Sequence, residues 1–136
     1  MSLPKPLLSK VDCVQLAVPD LEAALVFYCD QLGHKVIWRT DQAVGLRLPS
    51  SDTELVLQCE RSEPEVDWLV DSVENAADRF VKAGGVIEVP AFEIPIGRCV
   101  VVRDPWGNRL VLLDTSKGQF VTDERGQVVG CSSPLT

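Results

Sequence analysis

Histidine is almost absent from this chain, which has one (His34) among 136 residues. Imidazole is the commonest transition-metal ligand and the usual general acid–base group, so a single histidine excludes any centre that needs two. The five cysteines are odd in number and include no CxxC pair. That pattern argues against a disulfide framework and a zinc ribbon, and we predict reduced thiols and a cytoplasmic location.

The sequence also lacks a basic excess and any long apolar run. Its net charge of −7 disfavours nucleic acid and anionic membranes as partners and suits a basic or neutral ligand. No stretch approaches the roughly 20 apolar residues of a transmembrane helix. The segment MSLPKPLLSK has no apolar core of signal-peptide length. A chain of 136 residues predicts a single domain.

What the chain does contain is an internal repeat at an offset of 52 positions. Each copy begins with an alternating strand pattern, 11–18 or 66–70, and continues into an amphipathic helix capped by an acidic or hydroxyl side chain. The first helix is expected to bury Leu21, Tyr28 and Leu32 and to end at Gly33. The aligned identities are Val14 with Val66, Val18 with Val70, Glu22 with Glu74, Ala24 with Ala76, and Gly33 with Gly85.

Three short strands follow each helix, which predicts an α+β fold of two βαβββ modules. We place the modules at residues 11–60 and 65–114, joined by a linker at 61–64, between an N-terminal tail (1–10) and a C-terminal extension (115–136). The modules are expected to form one curved mixed sheet with a concave cavity. The extension either forms a hairpin from 119–122 and 127–130 or is frayed, and 91–98 is expected to be an apolar loop that acts as a lid or dimer contact.

Three segments, VPDLEAALVFYCDQLG, VDSVENAADRFVKAGG and DPWGNRLVLL, resemble the vicinal oxygen chelate superfamily. That group includes glyoxalase I, extradiol dioxygenases, methylmalonyl-CoA epimerase, and the fosfomycin and bleomycin resistance proteins. In its metal-using members, the first and last strands of each module supply ligands to a divalent ion that stabilises enediolate charge. The resemblance implies the same fold over residues 11–114 and a homodimer.

The family's ligand positions hold poor ligands in this sequence. Valine has no donor atom, a glutamine amide is a weak neutral ligand, and a thiolate is too soft for Mg²⁺, Mn²⁺ or Fe²⁺. Only the glutamate is a convincing hard ligand. We therefore predict that the chain uses no catalytic metal and no other cofactor. The positions that match the family pattern are Cys13, Gln58, Glu65 and Val111.

Strand alternation predicts which side chains face the cavity. Glu65 and Asp67 share one side of a strand, either as a carboxylate pair with one raised pKa suited to proton transfer, or as a solvated strand start neutralised by Arg109. Gln15 and Gln58 either bind a ligand or pair with each other. The expected inward set is Cys13, Gln15, Ala17, Glu54, Val56, Gln58, Glu65, Asp67, Leu69, Arg109, Val111 and Leu113.

The three tryptophans are expected to differ in role. Trp38 walls the cavity, Trp68 belongs to the core, and Trp106 occupies the tip of a turn, where it contacts a partner or simply packs. The side chains predicted to bind a small-molecule ligand are Gln15, Trp38, Gln58, Glu65, Asp67 and Arg109.

Three functions are compatible with this pattern. The preferred one is a metal-free binding protein similar to the bleomycin-resistance branch, with a cationic aromatic ligand. The alternatives are a glyoxalase- or dioxygenase-type enzyme with a degenerate or displaced metal site, and a non-catalytic structural or regulatory domain.

Overall fold

The computed structural model describes residues 4–131, which contain ten strands and two helices. In chain order the elements are β1 (Lys10–Ala17), α1 (Leu21–Leu25) continued by a π-helical turn (Val26–Gln31), β2 (Val36–Arg39), β3 (Ala43–Leu48), β4 (Ser51–Gln58), β5 (Glu65–Leu69), α2 (Val73–Lys82), β6 (Val86–Ile94), β7 (Gly97–Arg103), β8 (Arg109–Leu113), β9 (Phe120–Thr122) and β10 (Val128–Cys131).

Eight of these strands form one mixed sheet in the order β2-β3-β4-β1-β5-β8-β7-β6. The equivalent strands of the two modules follow in the same order from each edge of the sheet to its centre. β1 runs parallel to β4, β5 runs parallel to β8, and the antiparallel pair β1–β5 joins the modules at the centre. Val14 faces Val66 in that pair, so the offset of 52 becomes a two-fold relation about this point. The predicted α+β fold is confirmed.

The second helix is held by caps at its start and by an apolar stripe along its length. The Ser72 side chain accepts from the N–H of Asn75 at 3.3 Å, and Asp114 Oδ2 accepts from that of Val73 at 3.0 Å. Both bonds satisfy amides that have no intrahelical partner. The buried cluster between helix and sheet comprises Val70, Val73, Ala76, Ala77, Val100, Val102 and Leu112.

The first helix is shorter than predicted because it widens into a π-turn. Asp20 Oδ1 caps it by accepting from the N–H of Glu22 at 2.9 Å, and Leu21 packs on the sheet. The N–H of Leu32 then bonds to the carbonyl of Phe27 at 3.1 Å, five residues back. This wider spacing turns Leu32 outward, where it is 54% exposed. Its predicted place in the buried stripe was wrong.

The apolar segment at 91–98 is mostly strand, which corrects the loop prediction. β6 continues to Ile94 and pairs with β7 along its length, with register shifts between Ile87 and Val89 and between Val89 and Phe92. Pro90 is tolerated because β6 is an edge strand and the irregular register leaves no ladder bond for it to donate.

The C-terminal extension forms a hairpin, one of the two sequence alternatives, in which β9 is paired with β10. The hairpin is hydrogen-bonded to the edge strand β2, where the N–H of Arg39 donates to the carbonyl of Gly126 at 2.7 Å. Residues 1–3 and 132–136, parts of the predicted tail and extension, lie outside the described residues. Between residues 4 and 131, no helix is long and apolar enough to span a membrane.

Candidate functional site

A cavity of about 800 Å³ occupies the face of the sheet opposite the helices. Its volume is in the range of small-molecule sites. Of the side chains predicted to face inward, only Ala17 and Leu69 lie outside the cavity lining. The structure brings all six residues predicted to bind a ligand together in this lining: Gln15, Trp38, Gln58, Glu65, Asp67 and Arg109.

Strand register shows which positions of the two modules correspond. Gln15 is paired with Val56 across β1 and β4, and its two-fold mate Asp67 is paired with Val111 across β5 and β8. Val56 is therefore the residue related to Val111. Gln58, which was assigned from the sequence as the family position on β4, lies two residues further along the strand. Under the two-fold relation, the position on β4 that corresponds to Val111 therefore also holds a side chain without a donor atom.

Gln58 is instead committed to the turn that follows β4. Its Oε1 accepts from the N–H groups of Glu60 at 2.8 Å and Arg61 at 2.7 Å, and its Nε2 donates to the Arg61 carbonyl at 3.1 Å. The side chain is 1% exposed. The pairing of Gln15 with Gln58, one of the two sequence alternatives, does not form, because each amide has other partners.

The family's four ligand positions do not fit a divalent cation. Cys13 is buried and donates from Sγ to Asp67 Oδ2 at 3.3 Å, and burial, followed by the nearby Asp67 charge, raises the pKa of the Cys13 thiol. Thiol sulfur is also a soft ligand, poorly matched to Mg²⁺, Mn²⁺ or Fe²⁺. No group of three or more His, Cys, Asp or Glu suited to a metal occurs within residues 4–131. By register, the four positions are Cys13, Val56, Glu65 and Val111.

Asp67 has the most unusual environment in the cavity. It is 5% exposed, and its Oδ2 accepts from Gln15 Nε2 at 2.8 Å. Its Oδ1 is buried and has no hydrogen-bond partner in the described part of the chain. Burial, then the adjacent carboxylate of Glu65, raises the pKa of Asp67 to about 8. The raised pKa favours the protonated form of the Asp67 carboxyl group. The burial of Asp67 favours the carboxylate pair over the solvated strand start, although the neutralising Arg109 of that second alternative is also present beside Glu65.

Two arginines face Glu65, whose side chain is 13% exposed. Arg61 approaches one carboxylate oxygen at 3.8 Å, and Arg109 approaches the other at 3.6 Å. Arg109 also donates to Glu88 at 2.8 Å, and Arg61 donates to the side-chain oxygen of Gln15. The sequence indicated Arg109 by strand alternation. It gave no signal for Arg61, which lies in the linker between the modules.

The first module contributes an aromatic and acidic wall. The Trp38 indole donates from Nε1 to Glu54 at 2.7 Å, and its ring centroid lies 5.1 Å from that of Phe120. Burial raises the pKa of Glu54, although the Trp38 hydrogen bond opposes the shift. Asp12 joins the lining because a register shift between Val11 and Cys13 breaks the strict alternation of β1. Alternation placed Glu54 inward but missed Asp12 and Phe120.

Trp68 packs against the helix–sheet core as predicted. Trp106 is 83% exposed at the tip of the β7–β8 turn. Asp104 organises that turn, since its Oδ1 accepts from the N–H groups of Trp106 and Asn108. His34 lies outside the cavity, with Nδ1 3.2 Å from the Arg47 carbonyl.

Comparison with known proteins assigns the scaffold. Residues 10–112 match the model of the Glyoxalase/Bleomycin resistance protein/Dioxygenase superfamily, and the chain belongs to that superfamily. No curated protein matches the sequence significantly.

Solved structures share the fold at low sequence identity. Methylmalonyl-CoA epimerase from Mycobacterium tuberculosis is 22% identical with a TM-score of 0.65, covering 83% of this chain and 92% of its own. A superfamily member from Vibrio splendidus 12B01 is 21% identical with a TM-score of 0.55, covering 75% and 95%. Homoprotocatechuate 2,3-dioxygenase from Brevibacterium fuscum is 23% identical with a TM-score of 0.61, covering 82% and 38%.

Proposed function

We propose that this chain is a small-molecule binding protein whose concave cavity holds a positively charged organic ligand without a catalytic divalent metal. The proposal rests on the observation that the side chains at the family's ligand positions are poor metal ligands. Val56 and Val111 supply no lone pair, Cys13 is a soft ligand whose sulfur is bonded to Asp67, and Glu65 already faces two arginines. A function without a metal would rest on the cavity lining itself.

The charge of that lining supports a cationic ligand. Six carboxyl groups and three basic groups face the cavity, and even without Asp67, whose pKa is raised, the carboxyl groups outnumber the basic ones. An acidic concave surface raises the local concentration of cations, and aromatic faces attract them further. The carboxyl groups belong to Asp12, Asp52, Glu54, Glu60, Glu65 and Asp67, and the basic groups to Lys10, Arg61 and Arg109.

Metal analysis and ligand binding test the proposal together. Protein purified without chelator should contain Mn, Fe, Ni and Zn far below one equivalent per chain. A thermal-shift screen should show stabilisation by cationic aromatic compounds, including bleomycin-like glycopeptides, but not by catechols or the methylglyoxal–glutathione adduct. As a positive control, a variant carrying Cys13→His, Val56→Glu, Glu65→His and Val111→Glu should acquire metal if it folds. A stoichiometric ion in the unaltered chain would overturn the proposal.

The competing function is a metal-dependent enzyme of the glyoxalase or dioxygenase type with a displaced site. It is compatible with the fold, which is that of an epimerase and a dioxygenase among others. It predicts metal-dependent stabilisation by the methylglyoxal–glutathione adduct or by catechols, the opposite result in the same screen. A cytoplasmic location and a homodimer remain predictions, to be checked by fractionation and by light scattering.

A further inference from the structure

Residues 115–131, which we call the clasp, cross the open side of the cavity from one module to the other. Near the start of the clasp, the N–H of Lys117 donates to the carbonyl of Ile96 in the β6–β7 turn at 2.9 Å. Near its end, Gly126 accepts from Arg39 on β2. Since β6 and β2 are the two edges of the eight-stranded sheet, these anchors tie its opposite ends together.

The root of the clasp is fixed by Asp114, which is 3% exposed. Its Oδ1 accepts from the N–H of Arg98 at 3.0 Å and from the Ser116 hydroxyl at 2.8 Å. The chain passes so close to Gly97 that a Cβ there would lie 2.2 Å from the Asp114 carbonyl oxygen. The clasp therefore leaves the sheet in a defined direction.

Phe120 is the clasp residue that meets the first module inside the cavity. Its ring lies against Trp38 with an angle of 54° between the planes. Trp38 is itself fixed, because its indole lies on Gly45, where a Cβ would come within 2.2 Å of Nε1, and its N–H is bonded to Glu54. The two rings form one rigid aromatic wall, half of which comes from the clasp.

The carboxylates beside this wall differ from those across the cavity. Glu54 and Asp12 line the cavity and form no salt bridge with any residue from 4 to 131, although Lys10 lies near both and Arg47 near Glu54, whereas Glu65 faces two arginines directly. Positive charge would thus be most favourable next to the aromatic wall, where a planar cation can also contact ring faces.

We propose that the clasp completes the ligand site within a single chain, and that Phe120, held against Trp38, selects flat cationic rings over saturated cations of the same charge. This inference rests on the proposed function and goes further, since it names the recognition element. The selecting residue lies outside the segment that matches the superfamily, residues 10–112.

Calorimetric titration with two probes tests the inference. N-methylquinolinium is a flat aromatic cation, and N,N-dimethyldecahydroquinolinium is a saturated cation of similar size. The variants are Phe120→Ala, Phe120→Leu, which keeps apolar volume without a ring, and Val121→Ala as the matched control. Val121 is the next residue of β9 and does not line the cavity. Melting curves establish that each variant is folded.

We expect the intact chain to prefer the aromatic probe by about tenfold, and both Phe120 variants to lose most of that preference, since a cation–aromatic contact is worth this much when partly desolvated. Affinity for the saturated probe and all affinities of Val121→Ala should stay within about twofold. If the intact chain and both Phe120 variants prefer the aromatic probe over the saturated one to the same degree, the inference is wrong, while the proposed function is unaffected. Failure of the intact chain to bind either cation would refute both.

Discussion

The two modules share a backbone plan but differ in how their polar groups are matched. In the second module Asp114 receives backbone N–H groups from Val73 and Arg98. The related position in the first module is Cys59, an exposed thiol. On the cavity side, Glu54 and Arg109 occupy equivalent positions of the two modules, so an acid in the first module corresponds to a base in the second. Asp114 therefore ties the start of the second helix to its module's last strand, a link that Cys59 does not make in the first module, where Glu54 lines the cavity without a salt bridge.

The largest effect is expected from breaking the cap of the second module. Asp114→Ala removes hydrogen bonds from three residues to a buried carboxylate, which should lower the free energy of unfolding by about 3 kcal/mol. Cys59→Ala at the related position is the matched control and should change the free energy of unfolding by less than about 0.5 kcal/mol. Urea denaturation measures both. Similar losses in the two variants would contradict the asymmetry between modules.

The Asp114 effect should also depend on pH. Although burial opposes ionisation, the bonds from Val73, Ser116 and Arg98 hold the pKa of Asp114 below its ordinary value. The stabilisation is thus present above the unfolded-state pKa, about 3.9, and is lost as the pH falls through the lower folded-state value. The difference in free energy of unfolding between the intact chain and Asp114→Ala, measured by urea denaturation, should become smaller at acidic pH.

The next largest effect concerns the aromatic wall. Gly45→Ala places a methyl group on the Trp38 indole, and overpacking of this kind should destabilise the fold by about 2 kcal/mol. The indole should move away from Glu54, which changes the tryptophan emission. Gly130→Ala, where an added Cβ meets open space, is the control. Unchanged emission in Gly45→Ala would show that the indole is not fixed there.

A moderate effect is expected at Asp67. Its pKa is about 8 in the fold and about 3.9 when unfolded, so the folded chain keeps a proton that the unfolded chain releases. Its stabilising contribution is complete below about pH 4 and is lost as the pH rises toward 8. Asp67→Asn mimics the protonated form. The variant should be more stable than the intact chain at pH 8 by roughly 1–2 kcal/mol, as urea denaturation at pH 5 and pH 8 can show. Identical pH slopes would count against a protonated Asp67.

The smallest effect is expected on the outer face of the first helix. Val26 and Phe27 are about half exposed there, at 47% and 50%, where the second module has Asp78 and Arg79. Phe27→Arg, which copies the second module, should alter stability by less than about 0.5 kcal/mol. A large loss in urea denaturation would mean that this face is covered in solution.

Local patterns carried most of the fold and part of the site. Alternation along β1 and β5 placed Gln15, Glu65 and Asp67 in the cavity, because one face of each strand packs against helices. The same rule missed Asp12 because a strand irregularity has no clear sequence signal. It also could not choose between Val56 and Gln58, which face the same side and differ only in register.

Long-range packing accounts for what the patterns could not show. Phe120 reaches Trp38 across 82 positions of sequence, and nothing in the polar C-terminal extension indicates that contact. Arg61 turns into the cavity from a linker without periodicity. The π-turn that exposes Leu32 occurs in a segment whose apolar spacing is typical of an α-helix, so the spacing alone gave no sign of it.

The central β1–β5 pairing has a consequence for a fragment that contains only the first module. A fragment that ends at Glu60 would expose β1 as a bare edge, with unpaired N–H and carbonyl groups along it. Because Val14 faces its own repeat-mate at the two-fold point, two such fragments could join antiparallel through Val14 and rebuild a sheet of eight strands. Light scattering of this half-length polypeptide should give twice its formula mass; a lone species would mean that the join depends on side chains found only in β5.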